Sequence, residues 1–523
     1  MSDLLQKIRE NLIGERDAIE TNFGKRPLIY MDYTASGRSL NFVEDFIQKK
    51  VLPNYANTHS ESSYTGKQMT LLRHEARQQI RESVNGSVDH KVIFCGSGAS
   101  AAIAKVIGVL GLSIPSCLED KYNFAQQIPV YERTVVFIGP YEHHSNDLQW
   151  RESTAKVVQI GLNANGEIDV KQLEEELHLH ADYAQQIGTF SAASNVTGIK
   201  SDVSGITKLL HDHGALAFWD YAAAAPYVGI NVNTSGVDAI FLSPHKLVGG
   251  PGTPGILVAH KKIFKNRIPV MPSGGTVDFV SRSTKSYLSN IESREEGGTP
   301  GIVESIRAGL VFKLQQAVGT EIIEEKENAF VKRAIETWRH NPSIKLLGNL
   351  EASRLAIVSF CIVNEGRNLH YGLVVAMLND IFGIQARGGC SCAGPYGHEL
   401  LGIDEATSQL LMADVKAGNF LNRPGWARLN FNYFIDEETF EYTVRAVALI
   451  ADYGHKLAPF YEYNEDCGTW NYLGKSISPK LSLDDLFGEP DLINAVKPNW
   501  SLKTLLAEGE QILRGTLEGK LIA

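Results

Sequence analysis

A lysine stands where an apolar strand runs into a glycine-rich loop: Ser243-Pro244-His245-Lys246-Leu247-Val248-Gly249-Gly250-Pro251-Gly252 follows Ala239-Ile240-Phe241-Leu242. The strand aims the amine and the glycines let backbone and a bulky ring approach closely, so Lys246 can hold an aldehyde cofactor as an imine. Taken alone, a lysine entering a loop is a solvated charge, and three other constellations bear on the choice. Asp220 ends the apolar run Ala215-Leu216-Ala217-Phe218-Trp219, where an ionised carboxylate is costly without a positive partner. A protonated pyridine nitrogen is such a partner, worth roughly 1.5–3 kcal/mol as a charge-assisted hydrogen bond; an N-cap or turn aspartate is the plain alternative. Gly96-Ser97-Gly98-Ala99-Ser100 offers backbone amides at a helix N-terminus for a phosphate, with Ser243 and His245 as further donors. It reads equally as a strand–helix turn and lacks the spacing of a nucleotide P-loop. His143, in Glu142-His143-His144-Ser145-Asn146, lies at the C-terminal edge of an apolar strand, where ligands of open α/β sheets sit and a flat imidazole can stack on a pyridine ring. A surface histidine pair or half of a metal site is the alternative; no further ligand falls at a helpful spacing, so no metal is expected.

A fourth feature is Arg387-Gly388-Gly389-Cys390-Ser391-Cys392-Ala393-Gly394-Pro395. A thiolate on a glycine-flanked loop near an arginine is an activated nucleophile in prospect. Two structural cysteines or half a zinc knuckle remain as readings, and zinc is disfavoured without a second nearby pair.

These residues need elements to bring them together. Short β-rich runs alternate with helical stretches from about 28 to 260, the pattern of a sheet with helices on both faces. The expected strands are Leu28 to Tyr33, Lys91 to Gly96, Thr134 to Pro140, Lys156 to Gly161, Ile187 to Ala192, Leu216 to Asp220 and Ala239 to Leu242; helices are expected over Lys67 to Asn85, Ala99 to Leu110 and Val203 to His213. A loop-rich passage at 262–300 is followed by long helices over about 302–340, a strand at Leu355 to Val363, a helix at 370–380, a strand at Trp426 to Asn432 and a helix from Asp436. The chain is therefore expected to be α/β, with a large domain over 28–290, a smaller α+β domain from 1–27 and 291–455, and a C-terminal extension over 456–523, closed by a charged helix from Leu502, to which no role is assigned.

Composition bounds the function. A chain of 523 residues exceeds one ordinary core. Its formal net charge of -10, with lysine and arginine dispersed, argues against a nucleic-acid partner. Six cysteines make no disulfide framework, and Asp3, Glu10 and Glu15 stand where a signal peptide would be apolar, so a cytoplasmic address is expected. The longest apolar runs, near Val106 to Ile114 and Leu355 to Val363, are too short to span a bilayer. The Asn-x-Ser/Thr matches at Asn195, Asn233 and Asn499 are read as coincidence.

Together these motifs resemble the fold-type I pyridoxal-phosphate enzymes of aminotransferase class V, and within them the cysteine desulfurases and selenocysteine lyases, over roughly residues 28–450. Tyr30-Met31-Asp32-Tyr33-Thr34-Ala35-Ser36 is similar to the family's opening strand, with Ala35 and Ser36 implied beside the substrate, and Tyr55-Ala56-Asn57-Thr58-His59-Ser60 to the segment after its first helix. The resemblance implies a mixed, mostly parallel seven-stranded sheet between helices. It also implies that Lys246 forms the imine, Asp220 pairs with the pyridine nitrogen, His143 stacks on the ring, and Asn195 bonds the ring hydroxyl. Thr299, in Glu296-Gly297-Gly298-Thr299-Pro300, matches a threonine that reaches the phosphate of a neighbouring subunit, which implies a homodimer. Arg428 matches the arginine for the substrate carboxylate, a task suited to its bidentate fork, and Arg387 lies beside it in this reading. Cys392 falls where the persulfide-forming cysteine falls; Cys390 is the second candidate, and the Cys-x-Cys pattern also resembles molybdenum-cofactor sulfurases. In one departure, the family's Asp-x-Ala-Gln reads Asp220-Tyr221-Ala222-Ala223 here, so one donor to the ring hydroxyl is missing. In another, the tail after 455 has no counterpart in the compact members.

The expected function is a pyridoxal-phosphate cysteine desulfurase that converts L-cysteine to L-alanine and leaves sulfur on a cysteine as a persulfide for an acceptor, which can be another protein. A class V aminotransferase or a C–S or selenocysteine lyase on another amino acid is the nearest rival. A non-catalytic scaffold or sulfur-relay partner is the rival of another class.

Overall fold

The computed structural model describes residues 2–58, 60–473, 477, 481–487 and 499–515; His59 and parts of the tail lie outside the described residues. Seven strands build the central sheet: β1 (His90–Cys95), β2 (Thr134–Ile138), β3 (Lys156–Gln159), β4 (Gln185–Ser191), β5 (Leu216–Asp220), β6 (Ala239–Leu242) and β7 (Gly255–His260). Their order is β1-β7-β6-β5-β4-β2-β3. The run from β6 to β3 is parallel, and β7 is antiparallel to both of its neighbours. Every residue of β2 is buried, as expected of a strand covered on both faces.

The membership of this sheet differs from expectation by one strand. Ile29–Tyr30 does not join it; it pairs in parallel with Ile384–Gln385, and Ile29 and Met31 sit in the second hydrophobic core with Phe360 and Phe382. Its place belongs to β7, an apolar hexamer that no expected strand covered. Both the Ile29 and the Gly255 runs are short and apolar, and local pattern cannot say which sheet such a run enters. Packing decides it: β7 presses so closely on the turn before the next helix that a Cβ at Gly255 would fall 1.9 Å from the Gly98 carbonyl oxygen.

A second sheet is antiparallel throughout. Strands β8 (Ile344–Leu346), β9 (Ile357–Asn364), β10 (Arg367–Leu369), β11 (Arg387–Gly389) and β12 (Trp426–Asn430) run in the order β8-β9-β12-β11, with β10 beside β9. The helices that matter here are α1 (Tyr64–Ser83), α2 (Gly98–Val109), α3 (Ile302–Val318), α4 (Thr320–Arg339), α5 (Tyr371–Phe382), α6 (Glu437–Leu457) and α7 (Leu502–Arg514). Asp436 caps α6 by accepting from the Thr439 amide at 2.8 Å, the reason the sequence signal there is sharp. Helix α3 lays Ile306, Val311 and Phe312 in the same core as the central sheet, and Gly309 lets it approach α1, since a Cβ there would sit 2.6 Å from Ala76.

Described parts of the C-terminal extension pack on the smaller sheet's helices. Tyr461–Asn464 and Thr469–Tyr472 form an antiparallel hairpin. Helix α7 buries Leu502, Leu505, Leu506, Ile512 and Leu513 in the second core. Among the described residues no helix is long and apolar enough to cross a membrane.

Candidate active site

The C-terminal ends of β2, β4, β5 and β6 open onto one cavity of about 400 Å³. Asp220 ends β5 and pairs in register with Phe241 of β6; five residues further along, Lys246 closes a single helical turn over Pro244–Lys246. Neighbouring parallel strands thus place the amine and the carboxylate, twenty-six positions apart in the chain, on one cavity wall. Ala35, Ser97, Gly98, Ala99, Ser100, His143, Asn195, Ser243, His245, Arg387 and Arg428 line the same space. Among the residues expected at the site, Ser36, Cys390, Cys392 and Thr299 do not line it.

Burial pulls the Lys246 amine from 10.5 down to about 8, with Asp220 opposing and Arg428 and Arg387 adding to the fall. The amine is therefore unprotonated in an appreciable fraction near neutrality, as an imine-forming lysine must be. Burial raises the Asp220 carboxyl above its ordinary range, against the pull of the Ala222 amide and Lys246; the Ala222 N–H donates to it at 2.8 Å. A carboxylate so placed gains from a cationic hydrogen-bond donor in the cavity. His143 is pulled down to about 3, first by burial and then by Lys246, and its Nδ1 accepts from the Ser145 amide at 3.1 Å. It is a neutral, oriented ring. Beneath it, the buried Glu142 accepts from Asn146 Nδ2 at 2.7 Å, the Ser191 amide at 2.8 Å and Ser191 Oγ at 2.7 Å, which ties the His143 turn to the end of β4. Burial lifts the Glu142 carboxyl to about 7.

The anion end is built around α2. Gly98 takes φ +56, and a Cβ there would meet Ser243 Oγ at 3.0 Å, so glycine keeps the cradle open. One expected donor is engaged: the Ala99 amide donates to Ser243 Oγ at 2.8 Å. Ser36 stands outside the cavity and holds the lysine turn from behind, its Oγ donating to the His245 carbonyl at 3.3 Å.

Opposite the lysine, β11 and β12 set Arg387 directly across from Arg428. Like charges in that position repel. Arg428 is 3 % exposed; it donates to Asp32 Oδ1 at 2.9 Å and to the Asn195 carbonyl at 2.8 Å. One carboxylate for two guanidiniums leaves a net positive wall suited to a substrate carboxylate.

The cysteine loop is pinned beside the cavity. The His144 amide donates to the Cys392 carbonyl at 2.8 Å, the Gly394 amide to His144 Nε2 at 3.0 Å, and Asn195 Nδ2 to the Ser391 carbonyl at 2.8 Å. Asn195 therefore gives one N–H to this loop. Ser391 and Cys392 both lie in the left-handed region, at φ +52 and +57, and both thiols are half-buried. Thr299 is exposed, with Asn57 Nδ2 donating to its hydroxyl at 3.2 Å. Its loop is anchored by the buried Glu296: burial pushes that carboxyl up, and Arg77 and Arg73 more than reverse the effect, holding it below its ordinary range.

Sequence reasoning missed Thr34, Ser191, Thr253 and Ser391 as lining residues. Ser191 falls inside the expected strand Ile187 to Ala192 and Thr34 follows the one ending at Tyr33, so position was the available signal; nothing local distinguished Ser391 from the cysteines around it. Away from the cavity, the ligand atoms of Glu174, His178 and His213 come within 4.8 Å of one another on the surface. An aldehyde cofactor with a basic ring nitrogen and a phosphate fits the donors of the cavity: amine, buried carboxylate, flat neutral imidazole and glycine cradle.

A family model for Aminotransferase class-V matches residues 29–407. A probable cysteine desulfurase of Streptomyces coelicolor is 25 % identical over 373 residues, covering 70 % of this chain and 84 % of that protein. A second, from Halalkalibacterium halodurans, is 26 % identical over 373 residues, covering 71 % and 85 %. In solved structures, the fold is shared with the apo cysteine desulfurase of Thermococcus onnurineus NA1, at TM-score 0.66 and 23 % identity over 81 % of this chain and 95 % of that one. It is shared also with the cysteine desulfurase CsdA of Escherichia coli, at 0.66 and 19 % over 85 % and 97 %.

Proposed function

The chain belongs to the aminotransferase class-V family of pyridoxal-phosphate enzymes, and from that premise we propose that it is a cysteine desulfurase holding the cofactor at Lys246. The observation that carries the reading is the shared cavity of Lys246, Asp220 and the opposed Arg387–Arg428 pair, with two thiols on the loop that follows Arg387. When bound, pyridoxal phosphate supplies an electron sink for the bonds at the substrate α-carbon. Asp220 would hold its ring nitrogen protonated, His143 would pack on its face, and the amides of Gly98 and Ser100 with Ser243 and His245 would receive its phosphate. Asn195 offers its remaining N–H to the ring hydroxyl. Arg428 and Arg387 would fix the L-cysteine carboxylate, and the Lys246 amine would take the α-proton and later return it to the α-carbon. The Cys392 thiolate attacks the substrate sulfur; the carbon–sulfur bond breaks with its electron pair left toward carbon, which is then protonated to give alanine, and the sulfur stays on Cys392 as a persulfide. An acceptor thiol, free or on a sulfur-acceptor protein, takes it from there. Because Cys392 lies beside the cavity, the 390–394 loop must move toward the substrate for this step.

We further propose a homodimer in which Thr299 serves the partner's phosphate end, a cytoplasmic setting, and the division of the chain at about 290 and 455. The test is mass spectrometry of the reconstituted protein after exposure to L-cysteine. One added sulfur on the peptide containing Cys390 and Cys392, with equimolar alanine, is the expected result; Cys392→Ser removes it and Lys246→Ala abolishes both. A keto acid in place of alanine with no added sulfur would assign the chain to transamination or another lyase reaction.

A further inference from the structure

The edge of the central sheet opposite the active-site cavity carries a second group of side chains that could do chemistry. Glu174 and His178 stand one turn apart on the helix Val170–Leu179, and His213 directly follows the helix Val203–Asp212. These helices lead into β4 and β5, so their last turns lie by the N-terminal ends of strands whose C-terminal ends, at Ser191 and Asp220, line the cavity. His178 and His213 border a groove there with Gln185 and Leu216, the first residues of the two strands. One ligand atom from each of Glu174, His178 and His213 comes within 4.8 Å of the other two, and the two imidazoles meet edge to face with centroids 4.5 Å apart. Among the described residues none of the three side chains makes a hydrogen bond or an ion pair, so their ligand atoms are uncommitted.

The backbone beneath them is held firmly. Leu173 and Leu177 of the first helix and Ile206 and Leu210 of the second are buried in one core. Asp169 caps the first helix by accepting from the Lys171 and Gln172 amides at 3.1 Å, and Gly214, at φ +73, turns the chain out of the second. Both rings lie at helix C-terminal ends, where unpaired carbonyls favour a positive charge. The neighbouring His211 and Lys262 are both committed to Asp238. We propose that Glu174, His178 and His213 bind a borderline first-row divalent cation, Zn²⁺ in the first place, which ties the two helices together. Two imidazoles and a carboxylate are donors such an ion takes, and three protein ligands leave a fourth position for water. Donor atoms at about 2.0–2.1 Å from a tetrahedral Zn²⁺ stand about 3.3 Å from one another. Rotation of the exposed Glu174 and His178 side chains and the half-buried His213 closes the present spacing on an ion with the backbone in place. Hard cations such as Mg²⁺ seek oxygen and gain nothing from the imidazoles. This site is independent of the pyridoxal-phosphate reading.

The experiment titrates Zn²⁺ calorimetrically into the full chain, reconstituted with pyridoxal phosphate and freed of metal by chelation and dialysis. The parent should take up an equivalent that H178A and H213A each lose or bind at least about tenfold more weakly, while H340A, at an exposed histidine elsewhere, keeps it. Unchanged absorbance of bound cofactor shows that the variants are folded. Because the six cysteines can also take zinc, Co²⁺ serves as a second probe: the difference between parent and H213A spectra should lack the intense sulfur-to-metal band that thiolate ligation gives. Zn²⁺ should raise the unfolding temperature of the parent more than that of H213A. No uptake by the parent, an equivalent undiminished in H178A or H213A, a thiolate band in the difference spectrum, or displacement of Zn²⁺ by excess Mg²⁺ overturns the proposal.

Discussion

Lys246 carries its chemistry because of where it is buried. In water its amine would be protonated up to 10.5, and the cavity brings that to about 8. The sign is that of a cation penalised by desolvation: between about 8 and 10.5 the folded chain holds less proton on this residue than the unfolded chain does, and below about 8 both hold it. Capture of an aldehyde needs the neutral amine. The rate at which the cofactor-free protein takes up pyridoxal phosphate, followed by absorbance, should therefore rise with pH to a midpoint near 8, whereas a midpoint near 10.5 would mean that the amine is solvated. Asp220 works in the opposite sense. Burial makes its charge costly, and a cation brought into the cavity relieves that cost, the task proposed for a cofactor's ring nitrogen. The strand-end placement of Asp220 and the loop placement of Lys246 were legible in sequence, because an ionised carboxylate closing an apolar run is costly without a positive partner.

At the scale of elements, the described helix and hairpin of the tail after residue 455 pack into the small-sheet core. Helix α7 reads from sequence as a charged helix with no role assigned, and its apolar face lands between α5 and α6. Gly509 sits at the closest point: a Cβ there would fall 2.3 Å from the Phe382 ring, and Phe382 is fully buried. Gly509→Ala should lower stability by about 1–3 kcal/mol through overpacking, offset by up to about 1 kcal/mol from the better helix former. Denaturant unfolding should show this loss while the absorbance of bound cofactor stays unchanged. A stabilised variant would mean that α7 does not dock as described. The helix itself was expected from sequence, and the structure shows it capped by Ser501 with Leu502, Leu505, Leu506 and Leu513 buried, but the surface it meets is assembled from two helices distant in the chain, α5 and α6.

For the whole molecule, the proposed homodimer turns on Thr299. Thr299 is exposed, its hydroxyl accepts from Asn57 Nδ2 at 3.2 Å, and its loop is held in place by the buried Glu296–Arg77–Arg73 group. A homodimer gives that threonine a task. Sedimentation should find twice the chain mass. Mixing Lys246→Ala with Thr299→Val chains should produce dimers in which one site has both residues intact, recovering activity that neither variant shows alone. A monomer at micromolar concentration would remove Thr299 from the site.

The order of apolar runs, the glycine turn before α2, the strand-end aspartate and the lysine loop are all local, and the sequence by itself determined them: the chain is α/β, and Asp220, Lys246 and His143 stand at strand ends. Whether the Ile29 or the Gly255 run enters the central sheet, and which of Ser391, Cys390 and Cys392 faces the cavity, depended on contacts between segments far apart in the chain. Such choices are settled by which close approach the backbone tolerates, as at Gly255 against Gly98, and by which carbonyl Asn195 and His144 can reach. Those distances exist only once the two sheets have packed.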